Sequence, residues 1–423
     1  MPLWFGAFKN ANSSYAPSWV KLDPVRFPRA CAAPGVSLTP LTAFSPEVLR
    51  CDARAFAAFM RHLKTVDETH RTVVMVQVEN EVGLLWAPRD RSPLADAAFA
   101  APVPAELMDR LDRMRERLRP ELRECWEASG APRGGNWSDV FGIMTDEAFM
   151  AWHFARFVEG VAAAGSAEYP LPCFANAWLV QHDCERPGEY PSGGPVSRVR
   201  DIWRAAAPTI QVLAPDIYLP EFTQVCADYT AGGEPLLIPE ARRDVHAAAR
   251  AWYAFGRHDA LAYSPFGLET VGQPGADCGP AEAALLGSSY RLLRELLPQV
   301  DGCLAAQRSV GILQDARGVQ SFHLGGYRVR VSFVRPYNPS QAAAGGLIAS
   351  PADGEFVVAG FGFGVDFAPP LGQPNGYVDA LEIWEGSYAG GGWKPGRRLN
   401  GDEWSVRLGW EPGVQRVKVY TFR

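Results

Sequence analysis

The chain has 423 residues, 47% of them hydrophobic and 21% charged, and a formal net charge of -6. That balance fits one large globular domain or two ordinary ones and excludes a disordered or fibrous chain. No basic stripe offsets the acidic excess, so nucleic acid is not an expected partner. No apolar run is long enough to span a bilayer, so no membrane partner is expected either.

The opening MPLWFGAFKN has neither a basic n-region nor a long apolar h-region and does not read as a signal peptide. As written, the chain is expected in the cytoplasm; a true start further upstream would allow a periplasmic or secreted protein. Eight cysteines are scattered with no CxxC pair, which reads as free thiols. His182-Asp183-Cys184-Glu185 offers ligand types, but with no second cluster in the sequence it reads as a polar loop. No metal and no cofactor are expected.

In chain order, Leu3–Phe8 is an apolar strand that turns polar at Lys9 and Asn10. Pro17, Pro24 and Pro28 mark an irregular loop. Ser45 caps a helix that starts at Pro46 and runs to about Lys64. Thr72–Trp86 follows, the stretch on which the reading turns. Val73 to Val76 have the β-branched content of a strand buried on both faces. Within a few residues the chain then becomes Gln77, Glu79, Asn80, Glu81 and Gly83. In parallel α/β folds the C-terminal end of a strand is where ligand sites lie. A solvated loop would also carry such charges, and spacing alone leaves both readings open.

Ala105–Ala128 reads as one long amphipathic helix with Trp126 on its buried face. Gly134 to Trp137 reads as a loop and Asp146–Ala164 as a helix. Pro172–Leu179 is a strand containing Asn176 and Trp178, and Ser197–Ala207 is helical. Ile210–Tyr218 is a strand, Pro235–Ile238 a strand leading into Glu240, Asp244–Arg257 a helix, Ala260–Phe266 a strand and Pro280–Leu297 a helix. Six strands alternating with helices imply an α/β fold with a parallel sheet, barrel or doubly wound. No glycine-rich phosphate loop follows any strand, which lowers the doubly wound nucleotide-binding option. From residue 305 the pattern becomes all-β: Val310–Leu313, Tyr327–Phe333, Glu355–Phe363, Ala380–Trp384, Trp404–Leu408 and Arg416–Phe422 suggest a sandwich. Its aromatic residues fit a core or a carbohydrate-binding surface, and the sequence does not separate the two.

Glu81 and Glu240, at strand ends far apart in sequence, are the candidate catalytic pair. Glycoside hydrolysis needs one carboxyl to protonate the leaving oxygen and a second to attack or to activate water. Asn80 could bind a sugar hydroxyl, Tyr218 and Arg242 could hold Glu240 ionised, and Trp4, Trp86 and Trp178 offer flat faces to a pyranose. Core packing is the competing role for each aromatic.

Gln77-Val78-Glu79-Asn80-Glu81-Val82-Gly83 resembles the QxENE(Y/V)G signature of the glycoside hydrolase family 35 β-galactosidases. Pro235-Leu236-Leu237-Ile238-Pro239-Glu240-Ala241-Arg242 resembles that family's seventh barrel strand. The resemblance implies a (β/α)8-type TIM barrel over residues 1–304, with a β-sandwich domain over 305–423. It implies Glu81 as acid/base, Glu240 as nucleophile, and Asn80 as the contact to the hydroxyl beside the anomeric carbon. Asn176-Ala177-Trp178 and Ala214-Pro215-Asp216-Ile217-Tyr218 resemble strands five and six of the bacterial branch. Trp4-Phe5-Gly6 with Lys9-Asn10 resembles the end of strand three, and Ser264-Pro265-Phe266-Gly267 resembles strand eight. The implied activity is retaining removal of terminal β-galactosyl residues from an oligosaccharide, and a homo-oligomer is compatible with it.

One departure stands out. If Leu3–Phe8 is strand three, the first two βα units are missing, which suggests a truncated record. An inert sugar-binding relative and a retaining β-glycosidase for another sugar are the alternative readings.

Overall fold

A computed structural model of the chain describes residues 2–5, 8–182, 184–273, 278–369 and 376–422. Gly6 of the strand-three resemblance and Asp183 of the possible ligand cluster lie outside the described residues, as does the side chain of Trp4. The chain forms two compact units. One is Met1–Asp216 with Ala231–Glu234, and the other is Ile217–Thr230 with Pro235–Arg423.

In the first unit four strands pair in parallel: β1 (Pro2–Phe5), β2 (Met75–Val78), β3 (Cys173–Trp178) and β4 (Ile210–Ile217). Trp4 is opposite Gln77, Gln77 opposite Phe174, and Trp178 opposite Asp216. Helix α1 (Pro46–Asp67) connects β1 to β2, helix α2 (Thr145–Ser166) precedes β3, and the short helix α3 (Arg200–Ala206) precedes β4. Helical crossovers are what parallel strands require. The start of α1 follows from its sequence: the Ser45 hydroxyl accepts from Val48 N–H at 3.3 Å and Pro46 fills the first turn.

Two expectations here are corrected. Ala105–Ala128 is not one helix. It runs from Ala105 to Met114, tightens into a 3-10 turn at Arg115–Arg117, and restarts over Pro120–Ala128. Pro120 holds Arg119 in an extended conformation (φ -54°, ψ 137°), so the helix must break there. Beyond the loop marked by Pro17, Pro24 and Pro28 lies a hairpin that was not expected, Arg29–Ala33 with Val36–Leu41, turned by Pro34-Gly35 with Gly35 at φ +78°. Trp126 is buried, as its place on the helix implied.

In the second unit β5 (Leu237–Ala241) and β6 (Ala262–Pro265) pair in parallel, and helix α4 (Ala247–His258) connects them. Ile217, the last residue of β4, belongs to this unit, and its carbonyl accepts from Arg242 N–H at 2.9 Å. Helix α5 (Pro280–Ala305) continues through Pro298, well past the expected end at Leu297.

Antiparallel strands follow: β7 (Ser309–Leu313), β8 (Gln320–Leu324), β9 (Tyr327–Phe333), β10 (Gly345–Ala352), β11 (Glu355–Phe361), β12 (Phe363–Ala368), β13 (Tyr377–Ala389), β14 (Gly392–Arg398), β15 (Val406–Arg407) and β16 (Gly413–Phe422). They form one sheet ordered β7-β10-β11-β16-β13-β14 and another ordered β8-β9-β12-β15. Val310, Ile348, Val358, Ile383 and Val417 from the first sheet share a buried core with Val329, Val331, Phe363 and Val365 from the second. Each such side chain contributes about 1.5–3 kcal/mol of burial. The sandwich expected from the sequence is present, with four strands that the pattern did not reveal as separate elements (β8, β10, β12 and β14).

In the first unit α1 and α2 meet at Gly165, where an added Cβ would fall 2.3 Å from the Phe56 ring and 2.9 Å from Met60. Gly165→Ala gains about 1 kcal/mol of helix propensity but forces apart a packed contact, at a cost of about 1–3 kcal/mol. Urea unfolding should show a net loss of stability; a more stable variant would contradict this packing.

Candidate active site

Beyond β2 the chain turns through Glu79, Asn80 and Glu81, and two of these adopt left-handed backbone: φ is +62° at Glu79 and +47° at Glu81. Each costs on the order of 1–2 kcal/mol for a residue with a Cβ, so the surroundings must fix the turn. They do so by hydrogen bonding. Glu79 is fully buried and its Oε2 accepts from Phe8 N–H at 2.7 Å. The Gln77 amide donates to the Glu79 carbonyl and to Asn80 Oδ1, both at 3.0 Å. The amide oxygen of Asn176 accepts from Glu81 N–H at 2.9 Å. Gly83 then passes Pro191 so closely that a Cβ would lie 2.5 Å from the proline side chain.

Beneath the turn, burial holds the Asp52 carboxyl of α1 above the usual carboxylate range, against the lowering effect of its hydrogen bond with Glu79. Two buried carboxyls in contact are suited to sharing one proton.

Asn176 also donates to Asp216 Oδ2 at 2.7 Å and to Asn80 Oδ1 at 3.3 Å. Carboxylate oxygens of Glu81 and Asp216 approach within 4.8 Å, and both side chains are buried. Asp216 was not among the site residues expected from the sequence. Its signal was there: a carboxylate at the end of the apolar run Val212-Leu213-Ala214. Gln77, which braces the turn, was likewise passed over.

Asn80 donates to Asn10 Oδ1 at 3.1 Å, and Asn10 N–H donates to the Asn80 carbonyl at 3.2 Å. Asn10 in turn lines a recess with Lys9, Asn12, Tyr15, Trp86 and Trp178. Trp86 is 70% exposed, with its ring N–H donating to Asn12 Oδ1 at 3.3 Å. A large aromatic that exposed is not core. Trp178, at the end of β3, is half-buried. Within this unit the structure therefore gathers Lys9, Asn10, Trp86 and Trp178 around one recess and joins Asn80, Glu81 and Asn176 in one network that reaches it through Asn10.

In the second unit Glu240 is half-buried on β5, and the Tyr218 hydroxyl donates to its Oε2 at 2.7 Å. The Tyr218 ring meets Phe266 edge-on at 6.4 Å. The guanidinium of Arg242 is exposed and makes no ion pair with Glu240 among the described residues. Its neighbour Arg243 donates to the Gly267 carbonyl at 2.8 Å. Of the two expected partners, Tyr218 hydrogen-bonds Glu240 and Arg242 forms no ion pair with it among the described residues. All eight cysteines are free thiols, and among the described residues no helix is long and apolar enough to cross a membrane.

A family model described as Domain of unknown function (DUF5597) matches residues 286–408. No curated protein matches the chain. Among solved structures, the β-galactosidase of Bacillus circulans sp. alkalophilus is 13% identical with a TM-score of 0.41, over 68% of this chain and 45% of that one. The catalytic domain of the Paenibacillus polymyxa β-amylase is 10% identical with a TM-score of 0.44, over 70% of this chain and 82% of that one. A GH42 β-galactosidase from G. stearothermophilus is 14% identical with a TM-score of 0.33, over 56% of this chain and 35% of that one. The chain thus spans less than half of either β-galactosidase, and likenesses this distant assign neither a family nor an activity.

Asn176→Ala leaves Glu81 N–H and Asp216 each short of a partner, which should cost about 2–4 kcal/mol in urea unfolding, summing two unmet buried groups. Asn176→Asp sets a third acidic group between Glu81 and Asp216. Its stability deficit should shrink as pH is lowered and the added carboxyl protonates. A deficit that is constant between pH 7 and pH 4 would contradict the proposed crowding of charge.

Proposed function

We propose that this protein is a retaining glycoside hydrolase that removes terminal β-galactosyl residues from oligosaccharides. Residues 1–304 would form a barrel-type catalytic domain and 305–423 its β-sandwich companion. Glu240 is the nucleophile and Glu81 the acid/base. The observation that carries the reading is the hydrogen bond from the Tyr218 hydroxyl to Glu240 Oε2, at 2.7 Å. A phenol bound to one carboxylate oxygen fixes the group's orientation and leaves the other oxygen for attack. The turn that presents Glu81 supports the same reading, because strained backbone held by several hydrogen bonds is typical of functional sites.

In the first step Glu240 attacks the anomeric carbon while Glu81 gives its proton to the departing oxygen. This leaves a galactosyl ester on Glu240. Glu81, now ionised, takes a proton from water, which attacks the same carbon, breaks its ester bond to Glu240 and restores the original configuration. The two carboxyl groups must lie about 5 Å apart for this route, against roughly 6.5–9.5 Å for inversion. Asn80 and Asn176 supply amides for sugar hydroxyls and Lys9 and Asn10 further polar contacts. Trp86 and Trp178 supply apolar faces.

Incubation with a chromogenic β-galactoside tests the assignment. Glu240→Gln should abolish turnover, and Glu81→Ala should lower it about 10²–10⁴-fold on a substrate with a poor leaving group. Azide should rescue Glu240→Ala with an α-galactosyl azide as product, and Glu81→Ala with the β-anomer. Activity unaffected by Glu240→Gln would remove the nucleophile assignment. Faster turnover of a β-glucoside than of the β-galactoside would overturn the sugar specificity.

A further inference from the structure

The aromatic residues of the sandwich divide into two sets. Phe322, Tyr327, Phe333, Phe367 and Trp404 pack against the shared core. Trp384 and Trp393 do not. Strand alternation puts Ile383 and Val417 inward, so Trp384 and Glu382 on β13, and Arg416 and Lys418 on β16, face the opposite side of the sheet.

Register then builds two adjacent rows across three strands. Lys418 is opposite both Glu355 and Glu382, and Arg416 is opposite both Val357 and Trp384. Trp393, from β14, lies over the neighbouring strand at Gly386, where an added Cβ would meet its ring at 2.6 Å. Only a glycine there admits the indole this close to the strand. Tyr388 braces the ring edge at 5.2 Å, and the Arg416 guanidinium stands 5.7 Å from it. Together these residues line a recess open to solvent.

We propose that this recess binds a neutral sugar chain, independently of the glutamate pair. The charges decide the ligand class. Lys418 meets Glu355 at 3.1 Å and Glu382 at 3.7 Å, and with Arg416 the four formal charges cancel. A phosphate, a polyanion or an acidic peptide would find no net positive field here. The recess instead offers carboxylate acceptors and cationic donors side by side, the complement of a row of hydroxyls that each donate and accept. The Trp384 ring N–H is tied to Glu382 Oε2 at 3.1 Å, which fixes the ring and leaves its apolar face for a pyranose. Glu355, Glu382, Trp384 and Trp393 lie within the stretch matched by the domain of unknown function, residues 286–408, so this would supply a role for it.

Affinity electrophoresis of the full chain through gels containing soluble galactan, xyloglucan or glucomannan, with polygalacturonate as the anionic control, tests the assignment. The wild-type chain should be retarded in at least one neutral gel and not selectively in the polyanion. Trp384→Ala and Glu382→Gln should each weaken that retardation at least tenfold. Turnover of a small chromogenic β-galactoside should stay at its wild-type level in both, as should the thermal midpoint of Glu382→Gln. Equal retardation of wild type and both variants, retardation in polygalacturonate alone, or none in any neutral gel would overturn the proposal. A Trp384→Ala chain that fails to fold leaves Glu382→Gln, which keeps its shape, to decide.

Discussion

The Asn176 amide is the constraint from which the first unit's site follows. One side chain accepts from Glu81 N–H, donates to Asp216 and donates to Asn80. A primary amide supplies one acceptor and two donors within a small volume, which matches the three buried polar groups that it joins at the ends of these parallel strands. The cost of left-handed backbone at Glu79 and Glu81 is offset by these bonds and by those from Gln77 and Phe8. What results is a carboxylate presented in one orientation at the end of a buried strand, where chemistry on a ligand is feasible.

Glu240 is held by simpler means. A tyrosine one residue beyond the end of β4 reaches its carboxylate, and Phe266 fixes that tyrosine's ring. Arg242 is exposed and makes no ion pair with Glu240 among the described residues. Orientation of the proposed nucleophile thus comes from a neutral donor bound to one of its two oxygens.

Much of this was legible in the sequence, where local chemistry and tertiary need agree. The Ser45-Pro46 start of α1 was readable because cap and first turn are set by adjacent residues. Strand and helix alternation up to Ala305 was readable for the same reason. Legibility failed where long-range contact overrides local pattern. Pro120 was a visible helix breaker inside a stretch whose periodicity suggested continuity. Pro298 was an equally visible one that α5 tolerates. Strands β10 and β14 were missed because glycines and exposed charges blur their alternation; pairing with neighbours makes them strands. In the site, the run from Gln77 to Gly83 pointed to Glu81, yet the left-handed turn and the bracing by Asn176, which lies 95 residues away, could not be read from spacing. The outward placement of Trp384 and Trp393 likewise required the register of four strands.

The proposed mechanism requires a covalent intermediate on one named side chain. Reaction of the wild-type chain with an activated 2-deoxy-2-fluoro-β-galactoside, followed by proteolysis and mass spectrometry, tests this most directly. A stoichiometric fluorogalactosyl adduct is expected on the peptide that contains Glu240, and none when Glu240 is replaced. An adduct on Glu81 or Asp216, or full β-galactoside turnover with no adduct accumulating on any carboxylate, would contradict it.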